Sequence, residues 1–114
     1  MNDQKVENQM GTLVVTGASR GIGAAIARLA GQRGYTVGVN YSASAAEASS
    51  VVREITSDGG RALAIHADIS REDQIISLFR TAEGELGPIK ALVNNAGITG
   101  GPSRVENLTA KAIQ

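Results

Sequence analysis

Short aliphatic runs alternate with stretches of helical spacing from Gly11 onward, and this alternation restricts the fold more than any other feature of the chain. The runs are Thr12-Leu13-Val14-Val15-Thr16, Tyr35-Thr36-Val37-Gly38-Val39-Asn40, Ala62-Leu63-Ala64-Ile65-His66-Ala67 and Ile89-Lys90-Ala91-Leu92-Val93-Asn94. The first is apolar on successive residues, as suits a parallel strand covered on both faces. Each intervening stretch has room for a helical crossover, and parallel neighbours need one because no tight turn can join them. The pattern therefore predicts an α/β fold, a doubly wound parallel sheet of four strands in the order 3-2-1-4, left incomplete by the chain's length. Ligands of such sheets bind outside the carboxyl ends of the strands where the winding reverses, here strands one and four.

The connecting segments carry helix signals. Ile22, Ile26 and Leu29, with Ala25 and Ala30 beside them, predict the buried stripe of a first helix that Gly34 ends. Ser44 and Glu47 have capping-box spacing ahead of Ala48, Val51, Val52 and Ile55, and Gly59-Gly60 stops that second helix. Ser70, with Asp73 three residues on, predicts the N-cap of a third helix whose stripe is Ile75, Phe79, Ala82 and Leu86. Gly87-Pro88 breaks it. The third strand is less hydrophobic than the first and is placed nearer an edge. Residues 98–103 read as a loop and Leu108 to Gln114 as the opening of a fourth helix. The first ten residues read as a flexible tail.

Composition excludes several function classes. Eleven Lys+Arg balance eleven Asp+Glu, which removes the general electrostatic basis for a nucleic-acid or anionic-membrane surface. There is no cysteine and a single histidine, His66, so neither a thiolate nor a histidine metal site is expected. His66 reads as a satisfied core or edge histidine, not a catalytic one. Glu72, Asp73, Glu83 and Glu85 fall off the apolar stripe of their helix and read as a solvated face. The polar start of the chain resembles neither a signal peptide nor a membrane span, and a cytoplasmic protein is the expectation.

Between the first strand and first helix lies Thr16-Gly17-Ala18-Ser19-Arg20-Gly21-Ile22-Gly23. Glycines there let the backbone turn sharply and approach a pyrophosphate, which the free N–H groups and positive dipole end of the helix would receive. The spacing is Gly-x-x-x-Gly-x-Gly, unlike the commoner Gly-x-Gly-x-x-Gly, and no Gly-Lys-Ser/Thr follows to make a P-loop. A tight turn without ligand is the alternative. The fourth strand ends in Asn94-Asn95-Ala96-Gly97.

With both segments in this order, the chain from Gly11 to its last residue resembles the short-chain dehydrogenase/reductase family, most closely its bacterial glucose-dehydrogenase-like and ketoreductase-like members. The family's paired signatures, Thr-Gly-x-x-x-Gly-x-Gly and Asn-Asn-Ala-Gly, are present without substitution, and Asp68 matches its acidic residue after strand three. The resemblance implies that residues 11–114 are the N-terminal part of one Rossmann-like, NADP-binding domain. It implies that Gly17, Ser19, Arg20, Gly21, Ile22 and Gly23 surround the phosphates and that Asp68 and Ile69 bracket the adenine. Asn95, Ala96 and Gly97 would line the ribose and central side of the crevice, with Asn95 also tying strand four to its neighbours. A purely structural role for Asn94 and Asn95 stays open.

Cofactor choice follows from charge at the ribose. An NAD site places an Asp or Glu about 20 residues beyond the glycines, where it accepts from the 2′-hydroxyl and repels a 2′-phosphate. Asn40 stands 23 positions beyond Gly17, without that charge. Arg20 offers a planar cation, and Asn40, Tyr41 and Ser42 offer neutral donors, so NADP is expected over NAD. Arg20 as a merely solvated charge is the alternative.

The family performs hydride transfer with a Ser, a Tyr and a Lys four residues after that Tyr. Tyr35 is followed four residues on by Val39 and Tyr41 by Ala45, so neither fits. Lys5, Lys90 and Lys111 are misplaced for the role, and Asn107 precedes the helix that carries the family's catalytic Asn. No catalytic residue and no metal ligand is therefore assigned. The expectation is a short-chain oxidoreductase acting on a small-molecule alcohol or carbonyl, represented by its cofactor-binding half and inactive alone. The resemblance implies a homo-oligomeric full-length form whose contacts come from later helices. A truncated or non-catalytic dinucleotide-binding module is the alternative from another class; an epimerase or dehydratase of a related branch fits the paired motifs less well.

Overall fold

The computed structural model describes residues 10–95. The most apolar run, Thr12–Thr16 (β1), is buried along its whole length at the centre of the sheet. Around it follow α1 (Gly21–Gln32), β2 (Thr36–Tyr41), α2 (Ala45–Ser57), β3 (Arg61–His66), α3 (Glu72–Leu86) and β4 (Ile89–Asn94). The four strands are parallel in the order β3-β2-β1-β4, as the alternation predicts, and β3 lies at an edge. Residues 98–103 and 108–114 lie outside the described residues, as does most of the tail.

Alternate side chains of β1 feed two cores. Leu13 and Val15 join Val37, Val39, Ala24, Ala27, Ala48, Val51 and Ile55 under α1 and α2. Val14 points the other way and packs with Ile65, Ile75, Leu78, Phe79 and Ala82 under α3. Helices on both faces explain why β1 reads as a continuous apolar run instead of an alternating one. At the bottom of the sheet the Thr12 hydroxyl donates to the Leu86 carbonyl (3.2 Å), and the Thr12 amide donates to Pro88 (3.1 Å). These bonds seat the α3–β4 corner against the start of β1.

The expected stripe of α1 holds at Ala30, which is buried, and Ile26, which packs against the core, but not at Ile22, Ala25 and Leu29. Ile22 is 73% exposed and Leu29 48% exposed, while the buried face is Gly23, Ala24, Ala27 and Ala30. Small residues let the helix axis come close to the sheet, and that gain in packing along the whole helix outweighs burial of two larger aliphatics. The caps also differ. Ser44 does precede α2, but its side chain makes no capping bond. Ser70 is not the cap of α3, which starts after Arg71, because the Ser70 hydroxyl already donates to Asp68 Oδ1 (2.7 Å). Gly34 does end α1, at a φ of 99°. Strands β2 and β3 each run within one residue of expectation.

The burial pattern makes opposite predictions for two positions on α1. Ala27→Leu, at a site with no exposure, overpacks the core and is expected to cost about 1–3 kcal/mol. Ile22→Ala is expected to change stability by no more than about 0.5 kcal/mol despite removing more apolar surface. Urea denaturation of both variants checks the pair.

Candidate functional site

The loop that leaves β1 is held from both sides by asparagine side chains. The Gly17 amide donates to Asn40 Oδ1 at the end of β2 (3.2 Å), and Asn95 Nδ2, just past β4, donates to the Gly17 carbonyl (3.1 Å). The Ala18 amide adds a bond to the Asn40 carbonyl (2.8 Å) while its methyl is fully buried. Thr16 completes the arrangement, donating to Asn94 Oδ1 (3.1 Å) and accepting from the Asn95 amide (2.9 Å). One turn is thereby fixed to three strands at the carboxyl end of the sheet.

Gly17 (φ 60°) and Gly21 (φ 63°) occupy the left-handed region that favours glycine. Gly23 is required for a different reason. A Cβ there would sit 2.3 Å from the Gly17 carbonyl oxygen and 2.6 Å from Asn95 Nδ2, so only glycine lets α1 begin this close to the loop. Above Gly21, by contrast, a Cβ would meet nothing within 4 Å. The backbone is open to the crevice there.

The start of α1 is electrostatically open as well. No side chain caps it and its first turn holds no acidic residue, whereas α2 carries Glu47 and α3 carries Glu72 and Asp73 in theirs. Uncapped N–H groups at a positive dipole end favour an anion. Arg20 takes the N-cap position in extended conformation and projects an exposed guanidinium, with Nε 4.0 Å from Glu47 Oε1. These features fit the pyrophosphate of a dinucleotide.

Of the remaining expected site residues, those among the described residues lie at or just past strand ends or in the first turn of α1, with one reassignment. Asn40 is 2% exposed, and Nδ2 donates to the carbonyls of Ile65 and Ala67, each at 3.2 Å. Its amide is committed inside the protein, so Asn40 positions the loop and is not a free donor for a ribose. Tyr41 is half-buried, its ring tilted 59° against His66 with centroids 5.4 Å apart. Ser42 is exposed and its carbonyl lies 3.0 Å from His66 Nε2. Ser19, Asp68, Ile69 and Asn95 are half-buried, and Ile22 stands exposed at the first turn of α1. Ala96 and Gly97 lie outside the described residues. The spacing signals include Thr16 in the glycine segment but do not reveal that its hydroxyl joins the ends of β1 and β4, and they miss Gln74, whose side-chain oxygen accepts from the Asp68 amide (2.7 Å).

Asp68 is held ionised chiefly by the Ser70 hydroxyl and then by the Ser70 amide (3.0 Å), both donating to Oδ1. Its carboxyl lies below its ordinary value of 3.8, with Arg71 and His66 adding to the shift and burial opposing it. Away from the crevice, a groove of about 270 Å³ runs between the C-terminal halves of α1 and α2, with Arg28, Gly31, Glu54 and Asp58 in its lining. Arg28 and Glu54 form an ion pair. Among the described residues no three or more His, Asp or Glu side chains gather as for a metal, and no helix is long and apolar enough to cross a membrane.

The family model for short chain dehydrogenase matches residues 11–114. An uncharacterized oxidoreductase of Escherichia coli is 48% identical over 104 residues, 91% of this chain and 42% of that protein. A 3-oxoacyl-[acyl-carrier-protein] reductase of Staphylococcus epidermidis is 43% identical over 86 residues, 75% of this chain and 35% of the reductase. In structure, a short-chain dehydrogenase/reductase from Serratia marcescens superposes with a TM-score of 0.76 at 35% identity, covering 94% of this chain and 46% of its own. The chain thus spans less than half the length of these proteins.

Two variants test this geometry. Asn40→Asp replaces the donor that faces two carbonyls with a carboxylate and is expected to cost about 2–4 kcal/mol at neutral pH. Burial raises the folded-state pKa of that new carboxyl, so the loss shrinks as pH falls from that raised value toward the ordinary carboxylate value and is smallest below it, which denaturation at two pH values reads directly. For Asp68 the sign is opposite. A depressed folded-state pKa gives a contribution present above the unfolded value and lost as pH falls through the folded one. In an NMR titration its carboxyl is expected to have a midpoint below 3.8 that rises toward that value in Ser70→Ala.

Proposed function

Because the chain belongs to the short-chain dehydrogenase family, we propose that it supplies the cofactor-binding half of an NADP(H)-dependent oxidoreductase that interconverts an alcohol and a carbonyl. The reading rests on one observation above the others: a turn clamped by Asn40 and Asn95 delivers an uncapped, acid-free helix N-terminus to the crevice outside β1 and β4. Backbone groups from Gly17 to Gly23 hold the pyrophosphate, Arg20 receives the 2′-phosphate, and Tyr41 and Ser42 flank the ribose. Asp68 and Ile69 bracket the adenine, and Asn95, Ala96 and Gly97 line the central crevice.

The nicotinamide, when bound, supplies the hydride chemistry. The residues of this chain contribute binding and orientation. Proton transfer is assigned to none of them, since neither tyrosine has a lysine four residues on. Neither Tyr41 nor Ser42, which flank the ribose in this reading, carries a carboxylate to repel a 2′-phosphate, and Arg20 supplies the cation that such a phosphate requires; both support NADP over NAD. The acceptor or donor is a small molecule, and the full-length enzyme acts as a homo-oligomer.

Isothermal titration of the chain with NADPH and NADH tests the assignment. NADPH is expected to bind more tightly, and Arg20→Ala is expected to weaken it by roughly tenfold while leaving NADH nearly unchanged, as for loss of one charge-assisted contact. Equal affinities for the two cofactors would overturn the NADP assignment.

A further inference from the structure

Arg20 does not stand alone at the rim. Its Nε lies 4.0 Å from Glu47 Oε1, with the two side chains 76% and 52% exposed. Arg20 precedes the first turn of α1, and Glu47 belongs to the first turn of α2. The pair therefore links the loop after β1 to the helix after β2, across the part of the crevice where a dinucleotide ribose lies. The capping box that the spacing of Ser44 and Glu47 suggests is not completed, because the Ser44 side chain makes no capping bond. The Glu47 carboxylate is directed to the cation instead.

We infer that Glu47 sets the strength of cofactor discrimination, competing with a 2′-phosphate for the Arg20 guanidinium. The inference rests on the assignment of Arg20 to that phosphate. A phosphate that approaches Arg20 must share it with a carboxylate already within ion-pair distance, and the two anions repel each other. A nucleotide with a bare 2′-hydroxyl meets neither effect. Glu47 is thus a positioning residue that acts through Arg20, and it moderates a preference that Arg20 alone would make steeper. Both groups are exposed, so the effect is modest and falls with ionic strength.

Adenosine 2′,5′-bisphosphate and adenosine 5′-monophosphate isolate the 2′-phosphate without any need for turnover. Titrated against the 114-residue chain at low salt, Glu47→Gln is expected to tighten the bisphosphate by roughly threefold and leave the monophosphate unchanged. The gain is expected to vanish in the Arg20→Ala background, which a merely structural role for Glu47 would not produce. Glu47→Ala, which also lacks the charge, is expected to repeat the result. A gain shared equally by both nucleotides, a gain that survives without Arg20, or weaker bisphosphate binding overturns the inference. If wild type prefers the bisphosphate and Glu47→Gln is silent, this inference alone fails. If wild type binds both equally and Arg20→Ala changes nothing, the assignment of Arg20 fails and takes this inference with it.

Discussion

The backbone of Gly17 is the point on which the carboxyl end of the sheet depends. Its N–H is taken by a side chain from β2 and its C=O by one from just past β4, so the turn is braced between the two neighbours of β1. Both bonds lie in partly buried surroundings, where an unmet backbone group costs more than a satisfied one gains. Removing either asparagine would therefore leave a stranded polar atom as well as a looser loop. The left-handed conformation of Gly17 turns the two successive peptide units that carry its N–H and its C=O toward opposite neighbours.

Fixing that turn fixes α1. The helix begins four residues later, and Gly23 nests against the Gly17 carbonyl and the Asn95 amide. Ala24, Ala27 and Ala30 carry the close approach down the length of the helix. A helix seated by small residues cannot pivot to accommodate a displaced loop, so the direction of its N-terminus is set by the same contacts that set the turn. That coupling converts a packing arrangement into an electrostatic one. The dipole end points where the clamp holds it, into the crevice on the reversal between β1 and β4.

The sheet order was legible because the alternation of aliphatic runs and helical spacing leaves few topologies once crossovers must be right-handed. The glycine turn was legible because its residues need conformations that other side chains resist. What the pattern did not disclose was contact geometry. Periodicity ranks Ile22 and Leu29 above alanine by hydrophobicity, yet closeness of approach selects the alanines. Ser70 has the chemistry of an N-cap, but a nearer acceptor, Asp68 Oδ1, takes its proton. Asn40 looked like a donor at a ribose because its place in the chain suggests one; only the fold shows the loop after β1 and the end of β3 converging on its amide.

The commitment of Asn40 bears on how such a site discriminates between cofactors. A residue at the end of β2 can sense a 2′-group only if its side chain is free to turn outward, and here turning outward would strip Gly17, Ile65 and Ala67 of their partner. In the proposed reading, discrimination then rests on side chains other than Asn40, at Arg20, Tyr41, Ser42 and Glu47. Of these, the charged pair is largely exposed, where water and salt weaken every interaction. Tight control of the loop and steep selection at the ribose are therefore competing demands on one position, and this chain resolves them in favour of the loop.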